Sequence, residues 1–247
     1  MTELILSDIT VMGRGFCVIG VEEISPGVFR SVRPMPPRGF AWSAFPHRRG
    51  DTALTRLVPM PNANPPHLED HQSFGLRKRD RALDEPQLVS ALKRAEVAAR
   101  LEDLFGCQIA SQSSRGNSWV PSGQGCRSIC GCEVKNLWFR IFEDPSRVTL
   151  RVRLALQSGE RLESLPVVDR EWMAFLHRLM NHSKDAPAGI HAEKFLNGPI
   201  RREMMDSPNL FARVGLARGM QDQKCWLMLD SLFPQPQDSW LETLARR

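Results

Sequence analysis

The chain contains no tyrosine, and it lacks several features that would assign a protein to a class at once. No segment reaches eighteen consecutive apolar residues, which excludes a membrane-spanning helix. The N-terminus has no cationic region and no long apolar core, so we expect no secretory signal. The P-loop, dinucleotide-binding, zinc-protease and nucleophile-elbow motifs are also missing. These absences favour a cytoplasmic protein that uses no cofactor and lacks a recognisable catalytic motif.

The composition is that of a folded protein with a mild preference for anions. Of the 247 residues, 42% are hydrophobic and 25% are charged, and the formal net charge is +5. Arginine far outnumbers lysine, and its planar fork binds phosphate and stacks on rings. A genome rich in arginine codons would produce the same bias. The six cysteines, without a secretory signal, indicate reduced thiols in a cytosolic setting.

Arginine and aromatic residues interleave most densely between Arg30 and Arg56, where Asp51 is the single acid. Proline and glycine punctuate this segment, and guanidinium groups beside rings suit phosphate contact and base stacking. A solvated loop whose rings plug a barrel end is the structural alternative. The residues predicted to bind nucleic acid here are Arg30, Arg33, Arg38, Arg48, Arg49 and Arg56, with Trp42 as the stacking platform. Arg115 and Trp119, in the Ser/Gly-rich stretch 111–125, form a second candidate of the same kind.

The first half of the chain shows short apolar runs separated by glycine and proline, which is typical of a small barrel or sandwich. The predicted strands are Leu4–Leu6, Phe16–Val21, Val28–Val32 and Leu54–Met60. Residues 77–85 form a mixed-charge surface patch. From Pro86 the apolar spacing becomes helical and continues to Gly106, which ends the predicted helix.

The second half begins with a Ser-, Gly- and Cys-rich stretch, 111–136, that predicts a loop. Strands follow at Leu137–Phe142, Val148–Leu156 and Leu162–Val168, and Arg151 and Arg153 fall on an exposed face. Asp169 is the predicted cap of a helix. A last hairpin, Phe211–Ala217 with Cys225–Leu229, precedes a short terminal helix. The pattern therefore predicts a mainly β fold with a few helices.

Two blocks of the sequence resemble a bacterial family of dual OB-fold domains. The first runs from Ile5 through the Cys-x-x-Gly at Cys17 to the Arg-Pro at Arg33, and the second is 65–71, Pro-Pro-His-Leu-Glu-Asp-His. The resemblance implies two small OB-like barrels packed together with helical insertions. It divides the chain into a first barrel (1–76), a helical connector (77–106) and a second barrel (107–247).

The resemblance also implies a role around nucleic acids in prokaryotic conflict or defence systems. OB barrels hold single strands across a strand face, in agreement with the arginine-aromatic segment. We therefore expect a non-catalytic recognition or assembly subunit that binds nucleic acid, preferably single-stranded, beside a protein partner. A protein scaffold whose arginines face an acidic partner is one alternative.

Two clusters could instead bind metal, although we expect no metal site. His67 and His71, with Glu69 and Asp70 between them, could serve a metal-dependent nuclease or phosphodiesterase. The preceding prolines oppose the helix that this spacing would need. Cys126, Cys130 and Cys132, with Cys107, could supply zinc ligands, but paired C-x2-C knuckles are absent and buried thiols explain them equally well. The residues of the two clusters are His67, Glu69, Asp70, His71, Cys107, Cys126, Cys130 and Cys132.

Overall fold

A computed structural model describes residues 1–61, 63–112, 117–144, 147–182, 188–219 and 222–245. The protein is mainly β, with two curled sheets that form two barrel-like units, and the helices lie between and after the strands. This confirms the fold class expected from the strand pattern. No helix in these ranges is long and apolar enough to cross a membrane.

The first sheet takes all its strands from the first third of the chain. They are β1 (Thr2–Met12), β2 (Gly15–Ser25), β3 (Val28–Met35), β4 (Asp51–Thr55), β5 (Leu57–Pro59), β6 (Asp70–Ser73) and β7 (Arg77–Ala82). Gly13, at φ +56°, makes the turn between the antiparallel strands β1 and β2. The predicted strand Leu54–Met60 is instead two strands, because the ladder is interrupted at Arg56.

The pairings of the first sheet run in a closed circuit. β1, β2 and β3 form an antiparallel meander, and β3 runs parallel to β6. β5 pairs with β6, and β4, which precedes β5 across Arg56, pairs with β1. This is a five-stranded OB-like barrel in which β4 and β5 act as one interrupted strand. β7 adds to the open edge of β4, and all six of its residues are exposed.

The second sheet comprises β8 (Val97–Ala98), β9 (Ala110–Gln112), β10 (Asn117–Pro121), β11 (Ile129–Asp144), β12 (Arg147–Leu156), β13 (Arg161–Pro166), β14 (Phe211–Leu216) and β15 (Lys224–Phe233). β11, β12 and β13 form a meander, β14 pairs with β11, and β15 pairs with β14. A parallel bridge from Val167 to Leu229 joins the end of β13 to β15. The circuit therefore has the same order as that of the first barrel.

The prediction of a loop over 111–136 holds for 122–128 but was wrong for the described residues on either side of it; 113–116 lie outside the described residues. β9 and β10 and the start of β11 lie there, and Cys130, Cys132 and Val134 alternate into the core of the second barrel. The alternation is hard to recognise in the sequence because clusters of serine and glycine are typical of turns and loops. Val120 of β10 is fully buried in the same core.

The helices decorate the barrels as expected, with one difference in length. They are α1 (Glu85–Lys93), α2 (Arg170–His182), α3 (Ala188–Phe195), α4 (Arg201–Met205) and α5 (Asp238–Ala245), and a π-helical turn (Leu196–Ile200) links α3 to α4. Asp84 and Gln87 form a capping box on α1. The predicted extension of this helix to Gly106 was wrong, because the chain turns after Lys93 and enters β8.

Asp169 caps α2, as predicted, and also helps to join the two barrels. One carboxylate oxygen accepts hydrogen bonds from the backbone N–H groups of Glu171 (2.9 Å) and Trp172 (3.3 Å). The other pairs with Arg49 of the first barrel at 2.7 Å. Val21 of β2 meets Phe211 and Phe233 of the second barrel in an apolar cluster with α1. The barrels thus share a seam that is apolar on one side and charged on the other.

Candidate nucleic-acid interface

Aromatic and arginine side chains alternate on the outward face of the β11–β12 hairpin. Trp138, Arg140 and Phe142 follow one another at a spacing of two on β11, while the residues between them face the core. Across the ladder, Trp138 lies opposite Arg153, and Arg140 lies opposite Arg151. Strand periodicity therefore places two rings and three guanidinium groups on a single surface.

Both rings on this surface are only partly covered. Trp138 is 41% exposed and Phe142 is 44% exposed. The guanidinium carbon of Arg201, at the start of α4, lies 4.4 Å from the Trp138 ring centroid. Those of Arg140 and Arg151 lie 5.5 and 6.0 Å from the Phe142 centroid. We call this surface the outer hairpin face; its residues are Trp138, Arg140, Phe142, Arg151, Arg153 and Arg201.

The outer hairpin face carries more positive charge than its neighbours neutralise. Glu163 pairs with Arg153 at 2.5 Å. Within the part of the chain that the structure describes, Arg140, Arg151 and Arg201 form no ion pair with a carboxylate. Arg151 donates instead to the Asn117 side-chain oxygen at 2.5 Å, and burial lowers its pKa. The unneutralised guanidinium groups make this face suitable for an anion.

A second cation-aromatic cluster lies beside this face, on β10 and β15. Trp119 pairs with Trp226 across the ladder, and the Lys224 ammonium lies 5.0 and 5.4 Å from their ring centroids. Asn117, which binds Arg151, precedes Trp119 by two residues and so shares its side of β10. The structure thus brings the predicted Trp119 towards the outer hairpin face. Arg115 lies outside the described residues.

The outer hairpin face and the Trp119 cluster can be compared with the surface that OB barrels generally use for binding. OB barrels bind oligonucleotides on the face of their second and third strands, between the loop joining strands one and two and the loop joining strands four and five. In the circuit of the second barrel, β12 is the second strand and carries Arg151 and Arg153. Lys224 begins β15, directly after the loop between strands four and five. Arg151, Arg153 and Lys224 therefore lie on or beside the elements that OB barrels use for binding, and Trp138, Arg140 and Phe142 lie next to them on the first strand.

The arginines of the 30–56 segment divide into an exposed and a buried set. Arg38, Arg48 and Arg56 are exposed, and the Arg56 guanidinium lies 5.8 Å from the Phe74 centroid. Arg30 has a side chain that is 51% exposed, although Glu22 pairs with it. These four arginines remain available for phosphate, and their predicted role stays a prediction.

Arg33 and Arg49 are buried in the seam between the barrels. The Arg33 side chain is 6% exposed and pairs with Asp70 at 2.8 Å and Glu69 at 3.2 Å. Arg49 is 2% exposed and pairs with Asp169. Carboxylates of the protein occupy both guanidinium groups, so neither side chain can reach a phosphate in this structure. We correct the predicted phosphate set by removing these two residues.

Trp42 is half-buried and is used by the first barrel itself. Its indole N–H donates to the Pro34 carbonyl at 2.9 Å, and its ring lies 6.0 Å from that of Phe45. The backbone groups of Trp42 and Phe16 exchange two hydrogen bonds of 2.8 Å. These contacts fix the loop against the barrel and leave only part of the ring for stacking.

The acid-histidine cluster at 67–71 surrounds Arg33. Besides its pairs with Glu69 and Asp70, Arg33 donates to the Ser128 hydroxyl at 2.7 Å and approaches His67 Nδ1 at 3.1 Å. A guanidinium cannot accept a hydrogen bond, so His67 Nδ1 is the acceptor and the proton of the neutral ring is on Nε2. The described residues include no group of three His, Cys, Asp or Glu side chains arranged to hold a metal ion.

The His67 environment has a consequence for stability at low pH. Burial, with Arg33 and Arg218 nearby, lowers the pKa of His67 to about 3. Between this pKa and the pKa of about 6.5 in the unfolded chain, His67 is protonated in the unfolded chain but stays neutral in the folded protein. The stability contributed by neutral His67 is complete above pH 6.5 and falls by up to about 1.4 kcal/mol per pH unit below it.

We therefore expect His67→Asn, which keeps an acceptor for Arg33, to weaken this acid sensitivity. The measurement is urea unfolding of both proteins from pH 7 to pH 4. The free-energy difference between wild type and variant should shift in favour of the variant as the pH falls. Parallel curves for the two proteins would contradict the assignment of a neutral His67.

The cysteines lie partly in the core. Cys130 and Cys132 are fully buried on β11, and burial raises the pKa of Cys130 to about 11 and that of Cys132 further. Cys107 is half-buried, whereas Cys126 is exposed. Zinc ligation needs thiolates, and the environments of Cys130 and Cys132 oppose ionisation. The core interpretation of these two thiols therefore has the better physical support.

Comparison of the chain with protein-family models, curated proteins and solved structures finds no match. The pairing circuits of the two barrels and the surfaces they carry are therefore the observations on which a functional argument can be built.

Proposed function

We propose that this protein binds single-stranded nucleic acid across the outer hairpin face of its second barrel. The observation that supports the proposal is the alternation of Trp138, Arg140 and Phe142 on one open strand face, with both rings more than 40% exposed. Rings and arginines in this arrangement bind a strand by stacking its bases and neutralising its phosphates.

The geometry favours an unpaired strand over a duplex. Arginines lie near both rings, yet 41% of Trp138 and 44% of Phe142 remain exposed to receive a base. Bases are accessible to such stacking only when they are unpaired. Arg140, Arg151 and Arg201 would neutralise the phosphates between stacked bases. The Trp119 cluster would continue the path at the edge of the face.

The first barrel would extend this interface through its exposed arginines. Arg56 and Arg48 flank β4, and the neighbouring edge strand β7 adds Arg77, Lys78, Arg79 and Arg81 against the single acid Asp80. Charged edge strands also prevent sheet-to-sheet aggregation, so these residues support the proposal less directly than the outer hairpin face does.

As its wider setting, we propose the one that the dual OB-fold resemblance implies. The protein would act in the cytoplasm as a non-catalytic recognition or assembly subunit of a prokaryotic defence or conflict system. The binding face would recruit the nucleic acid, and a protein partner would supply the effector chemistry.

Fluorescence polarisation with labelled single- and double-stranded DNA and RNA, each from 50 to 300 mM salt, tests the binding. Single strands should bind more tightly, and log affinity should fall with log salt concentration with a slope of about −0.7 per neutralised phosphate. Binding curves that do not change with salt, or no binding to any of the four probes, would overturn the proposal.

Arg140→Gln should weaken single-strand binding and make the salt slope shallower by about 0.7, because one phosphate contact is lost. Arg100→Gln is the charge-matched control, since Arg100 is exposed, pairs with Glu102 and is not a residue of the outer hairpin face. An equal effect of the two substitutions would show that only net charge matters and would exclude a specific role for the outer hairpin face.

A further inference from the structure

A cavity of about 200 Å³ lies in the seam between the two barrels. The first barrel contributes Thr10, Met12 and Arg33, and the second contributes Leu216, Met228 and Asp230. His67, Ala217 and Arg218 complete the wall, and Phe40 lines the mouth with its ring 56% exposed. Neither the outer hairpin face nor the arginines proposed to bind phosphate line this cavity.

Three buried polar atoms around the cavity have no hydrogen-bond partner. They are Arg33 Nε, His67 Nε2 and Asp230 Oδ1, on residues that are 5%, 7% and 3% exposed. The Ala217 backbone lies near the His67 ring, but it forms no hydrogen bond of normal geometry with Nε2. Buried polar groups in native proteins are nearly always satisfied. Three unsatisfied groups on one cavity indicate that something else satisfies them.

The chemistry of these atoms selects the class of ligand. Arg33 Nε and His67 Nε2 are N–H donors, and they require acceptors on the ligand. Burial and the nearby Asp8 raise the pKa of Asp230 to about 8, so at neutral pH its carboxyl group can both donate and accept. The ligand edge must therefore present donors and acceptors side by side.

The charged and apolar residues that line the cavity further restrict the class of ligand. Arg33 is already paired with Glu69 and Asp70, and Asp70 also pairs with Arg218, so the cavity has no unneutralised cation for a phosphate. Leu216 and Met228 supply apolar walls. A neutral, flat molecule with an apolar face and a polar edge fits both observations, whereas a free anion does not.

The size and the mouth agree with one heterocyclic ring system. At about 30 Å³ for each water in the liquid, 200 Å³ would hold about seven waters, or one heterocycle of comparable size. At the mouth, the Arg218 guanidinium carbon lies 4.6 Å from the Phe40 centroid. A ring entering between the apolar walls would meet this pair and could stack on it.

We propose that this cavity binds a single nucleobase. The base would direct its polar edge to Arg33, His67 and Asp230 and place its ring between the apolar walls and Phe40. It could belong to a free nucleoside or be one unpaired base of a bound strand. Only the second source rests on the proposed function, and the experiment separates the two.

The test is isothermal titration calorimetry of the full chain with adenosine, guanosine, cytidine and uridine, together with polarisation binding of the single-stranded probe. Both measurements are repeated with Phe40→Ala and Asp230→Asn. Phe74→Ala is the matched control for the nucleoside titrations, because Phe74 is also exposed (57%) with an arginine near its ring and does not line the cavity. Circular dichroism of each variant shows whether it is folded. If Asp230→Asn does not fold, Phe40→Ala alone still tests the proposal.

One-to-one binding of a nucleoside, weakened at least fivefold by Phe40→Ala but unchanged by Phe74→Ala, would support a free base as the ligand. If no nucleoside binds, an oligonucleotide affinity that Phe40→Ala weakens at least fivefold would support a base of the strand as the ligand. If nucleosides do not bind and Phe40→Ala leaves the oligonucleotide affinity unchanged, the cavity holds only water and the inference is overturned. That result would leave the outer hairpin face untouched, since Trp138 and Arg140 are tested separately.

Discussion

Replacement of Arg213 by methionine is expected to destabilise the protein by about 3–5 kcal/mol, because it breaks a buried ion pair between the two barrels. Arg213 on β14 and Asp8 on β1 are both fully buried, with 3.3 Å between Arg213 Nε and Asp8 Oδ2. The Arg213 guanidinium also donates to the Ser31 hydroxyl of β3 at 3.0 Å. Without the cation, the fully buried Asp8 carboxylate loses its ion-pair partner and keeps the hydrogen bond from the Ser7 hydroxyl.

Urea unfolding at pH 7 measures this loss. Arg100→Met is the control, because the Arg100–Glu102 pair is exposed and should contribute less than about 1 kcal/mol. The double variant Asp8→Asn/Arg213→Met removes the stranded charge as well and should recover part of the stability. If Arg213→Met costs no more than Arg100→Met, the seam is not held by this pair, and the double variant would then show no recovery.

The seam also explains which residues the sequence could not assign. Arg33 is adjacent to Val32, a core residue of the first barrel, so strand alternation correctly turns its side chain away from that core. In a single barrel this direction leads to solvent. Here the second barrel covers the Arg33 side chain, and Glu69 and Asp70 form ion pairs with its guanidinium group. Local patterns give the direction of a side chain but not what a distant part of the chain places there.

The outer hairpin face is the opposite case, because the alternation of its arginine and aromatic residues can be read directly from the sequence. The exposed alternation of Arg151 and Arg153 is plain in the sequence, and the facing strand carries Trp138, Arg140 and Phe142 at the same period. Arginine is denser along the chain in the 30–56 segment, so a count of neighbouring residues favours that segment. Counting residue types along the chain detects only residues that are close in sequence. A surface shared by two strands depends instead on which residues the strand register places opposite each other.

The strands and the Asp169 cap were predictable because they depend on near neighbours. A capping carboxylate acts on backbone groups two and three residues ahead, and its hydrogen bonds to Glu171 and Trp172 confirm the prediction. The same carboxylate also pairs with Arg49, 120 positions earlier in the chain by the residue numbers, and nothing local could have revealed that.

The largest effect on binding is expected from Trp138→Ala/Phe142→Ala, which removes both exposed rings from the outer hairpin face. A stacked base contributes about 1–3 kcal/mol per aromatic side chain, so the pair should cost at least about 2 kcal/mol, or roughly thirtyfold in single-strand affinity. Stability should change little, since both rings are more than 40% exposed. Polarisation binding to the single-stranded probe measures the affinity, and urea unfolding measures the stability.

Trp42→Ala is the informative comparison for this double variant. Its ring is packed against Phe45 and its N–H is bonded to Pro34, so its loss should act mainly on the stability of the first barrel. The two proteins should therefore show opposite profiles, one losing affinity and the other losing stability. If Trp42→Ala weakens single-strand binding more than the double variant does, the interface lies on the 30–56 segment. The arginines to pursue would then be Arg30, Arg38, Arg48 and Arg56, since Arg33 and Arg49 are enclosed in the seam.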